Sequence, residues 1–329
     1  MNTGESNRET FATRLGLLAT MIGVAVGLGN VWRFPYMVGR FGGAAFVLLY
    51  VVFALFIGVP ALLAEWTLGR HTRRGSVGAF QRAGFPGGRW VGWILFGGVT
   101  AATGYYCNAI GWVLFHGLAE LANTITVLLP GVGGPEAIGV DGGTPLSGAA
   151  VLPPDAGFSL SAFLLQLTMT GGVVLGAALV LVRGVRKGIE GISRLFTPLL
   201  FVTLLLIIVR SNTLPGAEEG LRWFILSFRP HEIDAAVALA AMGQVVFSMA
   251  LGGTFMVVYG SYLKKDERLG GNALFTVAGD TSAGLLAGLA IFPAVFALDL
   301  EPGGGPGLIF STLPAVFAEV PGGSVFGLL

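Results

Sequence analysis

Charge is what this sequence has least of. Of 329 residues only 19 are Lys or Arg and 18 are Asp or Glu, 11% together, while 54% are hydrophobic. Soluble domains carry about 25% charged residues, so a chain this poor in charge, with a mean hydropathy of +0.79, reads as a polytopic membrane protein. Cysteine is nearly missing as well. Cys107 alone cannot close an intrachain disulfide, and its place inside an apolar run suggests a packed thiol rather than a redox centre. The three histidines, His71, His116 and His231, are isolated and read as solvated or interfacial. There is no phosphate loop of the P-loop type and no Ser-His-Asp spacing, so no nucleophile, base and oxyanion set can be assembled and an enzyme is not expected. A net charge of +1 argues against a nucleic-acid partner.

Long apolar runs are what is abundant. Stretches of about 20 residues, enough to cross about 30 Å of hydrocarbon, centre on Thr13–Arg33, Ala44–Leu68, Trp90–Leu121, Phe158–Val182, Ile192–Val209, Ala235–Tyr262 and Ala273–Leu298. Seven spans are expected. The first lies near the N-terminus but is too long for a signal-peptide core, with no basic n-region or small-residue cleavage site before it. With the N-terminus inside, the N-terminal segment, the loops after spans 2, 4 and 6 and the adjoining helix ends hold fourteen of the 19 basic residues, against four on the outer side. The positive-inside rule therefore places the N-terminus in the cytoplasm, and the plasma (inner) membrane is the expected location. The segment Ala122–Gly157 has no Lys or Arg and reads as an outer loop, as does Asp299–Pro321. The closing "GGSVFGLL" begins another apolar run too short to cross a bilayer, so Leu329 reads as a truncation point at the start of an eighth helix.

A charge inside a membrane helix is costly, about 2.5–3.5 kcal/mol at the centre, and marks a functional site by default. Three stand out: Arg33, Glu65 and Asp280. In "GVAVGLGNVWRFP", Gly23, Gly27 and Asn30 fall along one helical face. Helix packing alone explains small residues at such spacing but leaves Asn30, Arg33 and Pro35 unexplained. An interrupted helix accounts for them: Gly27 and Gly29 let the backbone leave helical geometry, freeing carbonyls before the break and N–H groups after it. Freed carbonyls suit a cation, and a new helix N-terminus suits a carboxylate. A second break is read in "GQVVFSMALGGTFMVVYGSYL", at Gly252 and Gly253 of span 6. Breaks in the first and sixth helices point to a midplane site for substrate and coupling ion, built from two repeats of five helices.

These residues, with "EWTLGR", "GYYCNAIGW" and "YGSYL", resemble the neurotransmitter:sodium symporter family, in particular its prokaryotic amino-acid transporters. The resemblance runs from about Arg8 to Leu329. It implies an all-α leucine-transporter-type fold with a five-plus-five inverted repeat. The chain would be one integral-membrane domain over residues 1–329, holding repeat one at 13–211 and a partial repeat two at 235–329.

The resemblance also implies roles. The substrate carboxylate would meet the N–H groups of Leu28 and Gly29 and the Tyr106 hydroxyl, and its amine the carbonyls of Ala25, Phe247 and Ser248. Glycine rather than aspartate at Gly27 implies a substrate that brings its own carboxylate, an amino acid. The first sodium would take the Ala25 carbonyl, Asn30, Ser248, Asp280 and the substrate carboxylate. Asparagine is common in the family at the position of Asp280. Chloride-dependent members hold an anion near the equivalents of Tyr50, Gln244, Ser248 and Gly284; with Gly284 mute and Asp280 charged, chloride is not expected to be required. The second sodium would use the carbonyls of Gly23 and Val26, its other ligands coming from an eighth helix. Arg33 and Arg8 resemble the outer and inner gate arginines, Phe247 the aromatic lid. Ala102, Ala250 and Gly253 stand where relatives carry larger or hydroxylated residues, which implies a roomy apolar pocket for a large aliphatic or aromatic side chain. Gly188 and Pro198 reproduce the spacing that relatives use to unwind span 5, although Pro198 could equally mark a helix start. Glu65 resembles a glutamate that holds the broken backbone of span 6.

Sodium-coupled import of an amino acid by alternating access is the leading expectation, with substrate, sodium and lipid as partners and a homodimer compatible with the sequence. An amino-acid-binding receptor or accessory protein that does not transport is the alternative, and proton coupling through Asp280 a third. For Asp280 the bland reading is a helix-end carboxylate exposed to cytoplasm.

Overall fold

The computed structural model describes residues 10–84, 86–128 and 160–303. They are helices and their connections, with no strand among the described residues. In chain order these are α1 (Arg14–Ala25), a π-helical turn (Gly29–Arg33), α2 (Phe34–Arg40), α3 (Ala44–Phe53), a π-helical turn (Ala54–Gly58), α4 (Val59–Thr72), α5 (Ser76–Arg82) and α6 (Gly88–Leu128). There follow α7 (Leu160–Val182), a π-helical turn (Val185–Glu190), α8 (Gly191–Ser211), α9 (Ala217–Ile225), α10 (Ala235–Ser248), α11 (Phe255–Gly260) and α12 (Leu269–Ala297). Arg8, most of the expected outer loop and the stretch beyond Gly303 lie outside the described residues.

Four helical runs are long and apolar enough to cross a membrane: Ala44–Thr72, Leu160–Val182, Val185–Ser211 and Leu269–Ala297. A fifth is the pair Arg14–Ala25 and Gly29–Arg40, bent by 48°. The chain is thus a multi-pass membrane protein. The third and sixth expected spans are not among these five. Residues 88–128 make one helix of 41 residues, longer than a bilayer needs and running into the expected outer loop, and Ala235–Gly260 is split into α10 and the 6-residue α11.

Helix starts follow side-chain chemistry. The Thr13 hydroxyl accepts the Gly16 N–H at 3.0 Å to cap α1, and Asp234 accepts the Val237 N–H at 2.8 Å to cap α10. Pro198, which could have begun a helix, sits inside α8 instead. α8 starts at Gly191, after a π-helical turn entered through Gly184 at φ 79°, and the helix tolerates the proline's missing N–H within its length.

The described residues fall into two compact units, one of residues 10–100 and 180–303, the other of 101–128 and 160–179. In the first, α12 packs on α1, α4, α8 and α9, α11 lies on α4, and α10 lies on α3. Its core includes Leu17, Met21, Phe34, Phe46, Tyr50, Trp66, Met249 and Phe292, with the Phe34 and Tyr50 rings 4.9 Å apart. In the second unit α6 and α7 are joined by Gln166, whose Nε2 donates to Asn108 Oδ1 at 2.8 Å and to the Asn108 carbonyl at 3.0 Å. Such interhelical amide bonds take the place of a hydrophobic drive that lipid cannot supply.

Close backbone approach does the rest. A Cβ on Gly69 would lie 2.0 Å from the Val257 carbonyl oxygen, and one on Gly260 2.7 Å from Trp66 Cα, so α4 and α11 meet through two glycines. Gly69→Ala is expected to push these helices apart and cost about 1–3 kcal/mol. A fall in Tm of the detergent-purified full-length protein checks this, and an unchanged Tm sinks it.

Candidate functional site

α1 ends at Ala25, and Val26 leaves helical geometry at φ −80°, ψ 120°. The Gly27 N–H, which a continuing helix would give to the Gly23 carbonyl, donates instead to Asn30 Oδ1 at 3.0 Å. The Gly27 carbonyl in turn accepts from the N–H groups of Asn30 and Val31 at 3.0 and 3.3 Å, starting the π-helical turn. Asn30 therefore ties the break together with its own side chain. Leu28 and Gly29 stand at the head of the turn.

The other amide atom of Asn30 reaches across the unit. Nδ2 donates to Ser248 Oγ at 3.0 Å, to the Asp280 carbonyl at 2.9 Å and to Asp280 Oδ1 at 2.7 Å. Ser248 Oγ donates to Asp280 Oδ1 at 2.8 Å, with Oδ2 at 3.0 Å, and the Tyr50 hydroxyl donates to Asp280 Oδ2 at 3.0 Å. Four segments thus converge on one carboxylate: α3, the Gly29–Arg33 turn, the end of α10 and the middle of α12. Asp280 is 0% exposed and is the twelfth residue of its helix. The reading of Asp280 as a helix-end carboxylate open to solvent is overturned, because α12 starts four residues earlier than the apolar run that marks it and α1, α3 and α10 close over its middle.

No basic side chain lies within ion-pair distance of Asp280 among the described residues. Nor do any three His, Cys, Asp or Glu residues gather into a metal cluster there. The site offers one carboxylate beside hydroxyl and carbonyl oxygens, with the Asn30 amide presenting its nitrogen, a set of hard ligands without thiolate or imidazole that suits a hard cation rather than zinc or copper.

The second break follows α10. Ala250 takes φ 49°, Gly252 135° and Gly253 78°, and α11 resumes at Phe255. Glu65 on α4 holds this segment: its Oε1 accepts the N–H groups of Gly252 and Gly253 at 2.8 and 2.9 Å. The space beside Gly253 is occupied, since a Cβ there would lie 2.9 Å from Phe80 Cζ and 3.0 Å from Leu95 Cδ1. Any extra room expected from that glycine is filled by these two side chains.

Arg33 donates to Gln244 Oε1, and its guanidinium carbon sits 4.7 Å from the centre of the Phe247 ring. Gln244 Nε2 donates to the Gly29 carbonyl at 2.9 Å. Arg33 and Phe247, expected as gate and lid, are therefore in contact, and Gln244 fastens the arginine to the first break. Among the described residues Arg33 has no carboxylate partner. Ala102 and Tyr106 lie on α6 within the second compact unit.

Gly188 falls in the π-helical turn before α8, where a Cβ would meet the Val180 carbonyl at 2.1 Å. That turn ends in Glu190, whose role composition and spacing did not reveal. Its carboxylate is buried, accepts the Ala12 N–H at 2.9 Å and the Thr13 hydroxyl at 3.3 Å, and pairs with Arg194 at 2.5 Å. Thr197 Oγ1 donates to the Ala19 carbonyl at 3.1 Å about two turns further along. The start of α1, on whose last turn Gly23 lies, is thereby fastened to the segment holding Gly188. Glu190 and Arg194, four apart in "GIEGISR", were the available signal.

The family description "Sodium:neurotransmitter symporter family" matches residues 8–130 and 162–329. An uncharacterised sodium-dependent transporter of Bacillus subtilis is 33% identical over 98% of this chain and 67% of its own length. One from Haemophilus influenzae is 31% identical over all of this chain and 70% of its own. The sodium-dependent serotonin transporter of Drosophila melanogaster is 28% identical, the chain spanning 55% of that protein. Among solved structures, MhsT in complex with L-phenylalanine superposes with a TM-score of 0.80 at 35% identity, covering 98% of this chain and 69% of MhsT. The chain belongs to the sodium:neurotransmitter symporter family, which consists of sodium-dependent membrane transporters and not of enzymes.

Proposed function

We propose that this chain carries the substrate site and the first sodium site of a symporter that imports an amino acid, without need of chloride. The observation that carries the proposal is Asp280, a fully buried carboxylate with three side-chain donors and no basic partner among the described residues. A carboxylate is buried only with compensation, and a bound cation supplies it. Sodium would sit between Asp280, Ser248, Asn30 and the Ala25 carbonyl, with the Asn30 amide turned to offer its oxygen. Closing the shell with the substrate's carboxylate makes each ligand strengthen the other.

Gly27 and the break behind it support an amino acid: no side chain at 27 supplies a negative charge, so the substrate brings one to the N–H groups of Leu28 and Gly29. The L-phenylalanine bound to MhsT supports a large apolar or aromatic side chain. Within the first unit, the occupied space at Gly253 restricts the extra room to Ala250. The hydroxyls of Tyr50 and Ser248 already donate to Asp280, and a Cβ on Gly284 would stand 3.3 Å from the Phe34 ring, which supports chloride independence. The interruptions at 26–28 and 249–254 are assigned as the unwound midplane segments of helices 1 and 6. The second sodium is assigned to the carbonyls of Gly23 and Val26. The N-terminus is assigned to the cytoplasm, so that the Gly188 turn, Glu190 and Arg8 belong to the inner side, and the membrane is the plasma membrane.

The test is binding of an amino-acid panel to the full-length protein, with sodium against potassium and chloride against gluconate. Sodium is expected to tighten binding of at least one large apolar amino acid by about 5- to 150-fold, the usual range of such couplings. Gluconate is expected to leave it unchanged. Uptake that follows pH and ignores sodium, or a strict chloride requirement, would overturn the reading.

A further inference from the structure

Below Asp280 on α12, two more polar side chains recur one helical turn apart, Asn272 and Thr276, at 1% and 0% exposure. Residues four apart share a helix face and are separated by about 6 Å of rise. Neither side-chain oxygen is satisfied on that face. Asn272 Oδ1 and Thr276 Oγ1 are buried and have no hydrogen-bond partner among the described residues. The threonine does not even return to the carbonyl of residue 272, the common resort of a hydroxyl inside a helix. Leaving a buried oxygen unpaired is costly, and such groups mark a place where water or an ion is met. Asn272 Nδ2, in contrast, is engaged: it donates at 3.4 Å to Glu267 Oε2, on the half-buried side chain that precedes α12.

The row therefore begins at a carboxylate near the surface and ends at the buried one. A water that bridges two oxygens through hydrogen bonds of about 2.8 Å does so at a bent angle and spans about 4.5 Å, so one or two waters link positions about 6 Å apart along the helix. Amide and hydroxyl oxygens are also ligands that a hard cation accepts in passing. The neighbouring positions Ala273 and Val277 are apolar and buried. α1 lies against the same half of α12, with Ile22 2.9 Å from where a Cβ on Gly279 would stand. Displacement of α1 would open that face to water.

We propose that Asn272 and Thr276 form a hydrated exit route by which the sodium held at Asp280 leaves toward the Glu267 side of the protein. The proposal rests on the assignment of Asp280 as a sodium ligand. Release by this route is independent of the carbonyls of Gly23 and Val26.

The experiment uses the full-length protein in vesicles of uniform orientation, loaded with radioactive sodium, and measures release to the Glu267 side together with equilibrium sodium affinity. Thr276→Val, which swaps the hydroxyl for a methyl at nearly constant shape, is expected to slow release at least about tenfold, equivalent to about 1.4 kcal/mol on the barrier, with affinity unchanged. Thr276→Ser keeps the hydroxyl and is expected to release at the parent rate. Asn272→Leu is a second variant and slows release in the same way. Equal slowing in Thr276→Ser and Thr276→Val would overturn the route, since packing would then be the cause. Unchanged release in Thr276→Val and Asn272→Leu, while Asp280→Asn weakens sodium binding, would overturn the route and leave the site standing. Unchanged affinity in Asp280→Asn would remove the site itself.

Discussion

Asp280→Asn in the full-length protein is expected to weaken sodium binding by at least about a hundredfold while leaving the protein folded. The carboxylate takes hydrogen bonds from Asn30 at 2.7 Å, Ser248 at 2.8 Å and Tyr50 at 3.0 Å. An amide of the same shape keeps one acceptor and turns the other oxygen into a donor. Ser248 and Tyr50 carry hydroxyls that can rotate and accept from it, so the packing around position 280 survives. What does not survive is the charge. Two unit charges about 4 Å apart at an effective dielectric near 20 attract by about 4 kcal/mol, and an amide oxygen that still ligates the ion recovers part of this. The remainder is the hundredfold. Sodium titration of amino-acid binding reads it directly. A second readout separates charge from geometry: in Asp280→Asn the hydroxyls of Tyr50 and Ser248 are released, so replacing gluconate by chloride is expected to recover sodium affinity that the parent protein does not gain. Unchanged sodium affinity in the variant would place the cation elsewhere.

Much of this centre is visible along the chain because it is built from residues that are expensive in lipid. Asn30, Glu65 and Asp280 stand out against apolar neighbours, and Gly27, Gly252 and Gly253 mark where the backbone cannot stay helical. The partners are harder to see. Tyr50 is singled out only by the resemblance, as a neighbour of the family's anion position, and nothing along the chain shows that its hydroxyl donates to Asp280, 230 residues away. Glu190 has no mark along the chain beyond Arg194 four residues on, yet it is buried under the start of α1. Its role depends on a π-helical turn that no local signal fixes, because the wider turn is chosen by what it packs against. The same holds for Ala54–Gly58: an unbroken apolar run predicts a plain helix there, and the structure inserts a π-helical turn between Tyr50, on Asp280, and Glu65, on the second break. The span count suffers from the opposite problem. Hydropathy sees apolar length, and α10 with α11 is apolar throughout, so only the glycines reveal that it is two pieces. Filling of the space at Gly253 by Phe80 and Leu95 could not be read at all, since those side chains arrive from α5 and α6.

Glu65→Ala is expected to cost about 3–6 kcal/mol of stability and to abolish substrate binding at temperatures where the parent protein binds. The six residues between Ser248 and Phe255 have left the helix, and their N–H groups need acceptors that lipid cannot provide. Glu65 Oε1 supplies one acceptor to two of them, Gly252 and Gly253, and hydrogen bonds to a charged group contribute about 1.5–3 kcal/mol each. Alanine removes both. Helical geometry is no refuge for the segment, because Gly253 sits against Phe80 and Leu95 and α11 is locked to α4 at Gly69 and Gly260. The freed segment therefore loses the backbone path that sets Ser248 against Asp280, and the binding site goes with it. Glu65→Gln discriminates the cause. Glutamine keeps an oxygen for the two N–H groups and only replaces Oε2, which has no partner among the described residues, so most binding should return. Thermal unfolding and amino-acid binding of the two variants, measured side by side in sodium, check the pair. Equal loss in Gln and Ala would mean that the charge acts through something other than these two hydrogen bonds, and parent-like binding in Glu65→Ala would show that the second break holds its shape without α4.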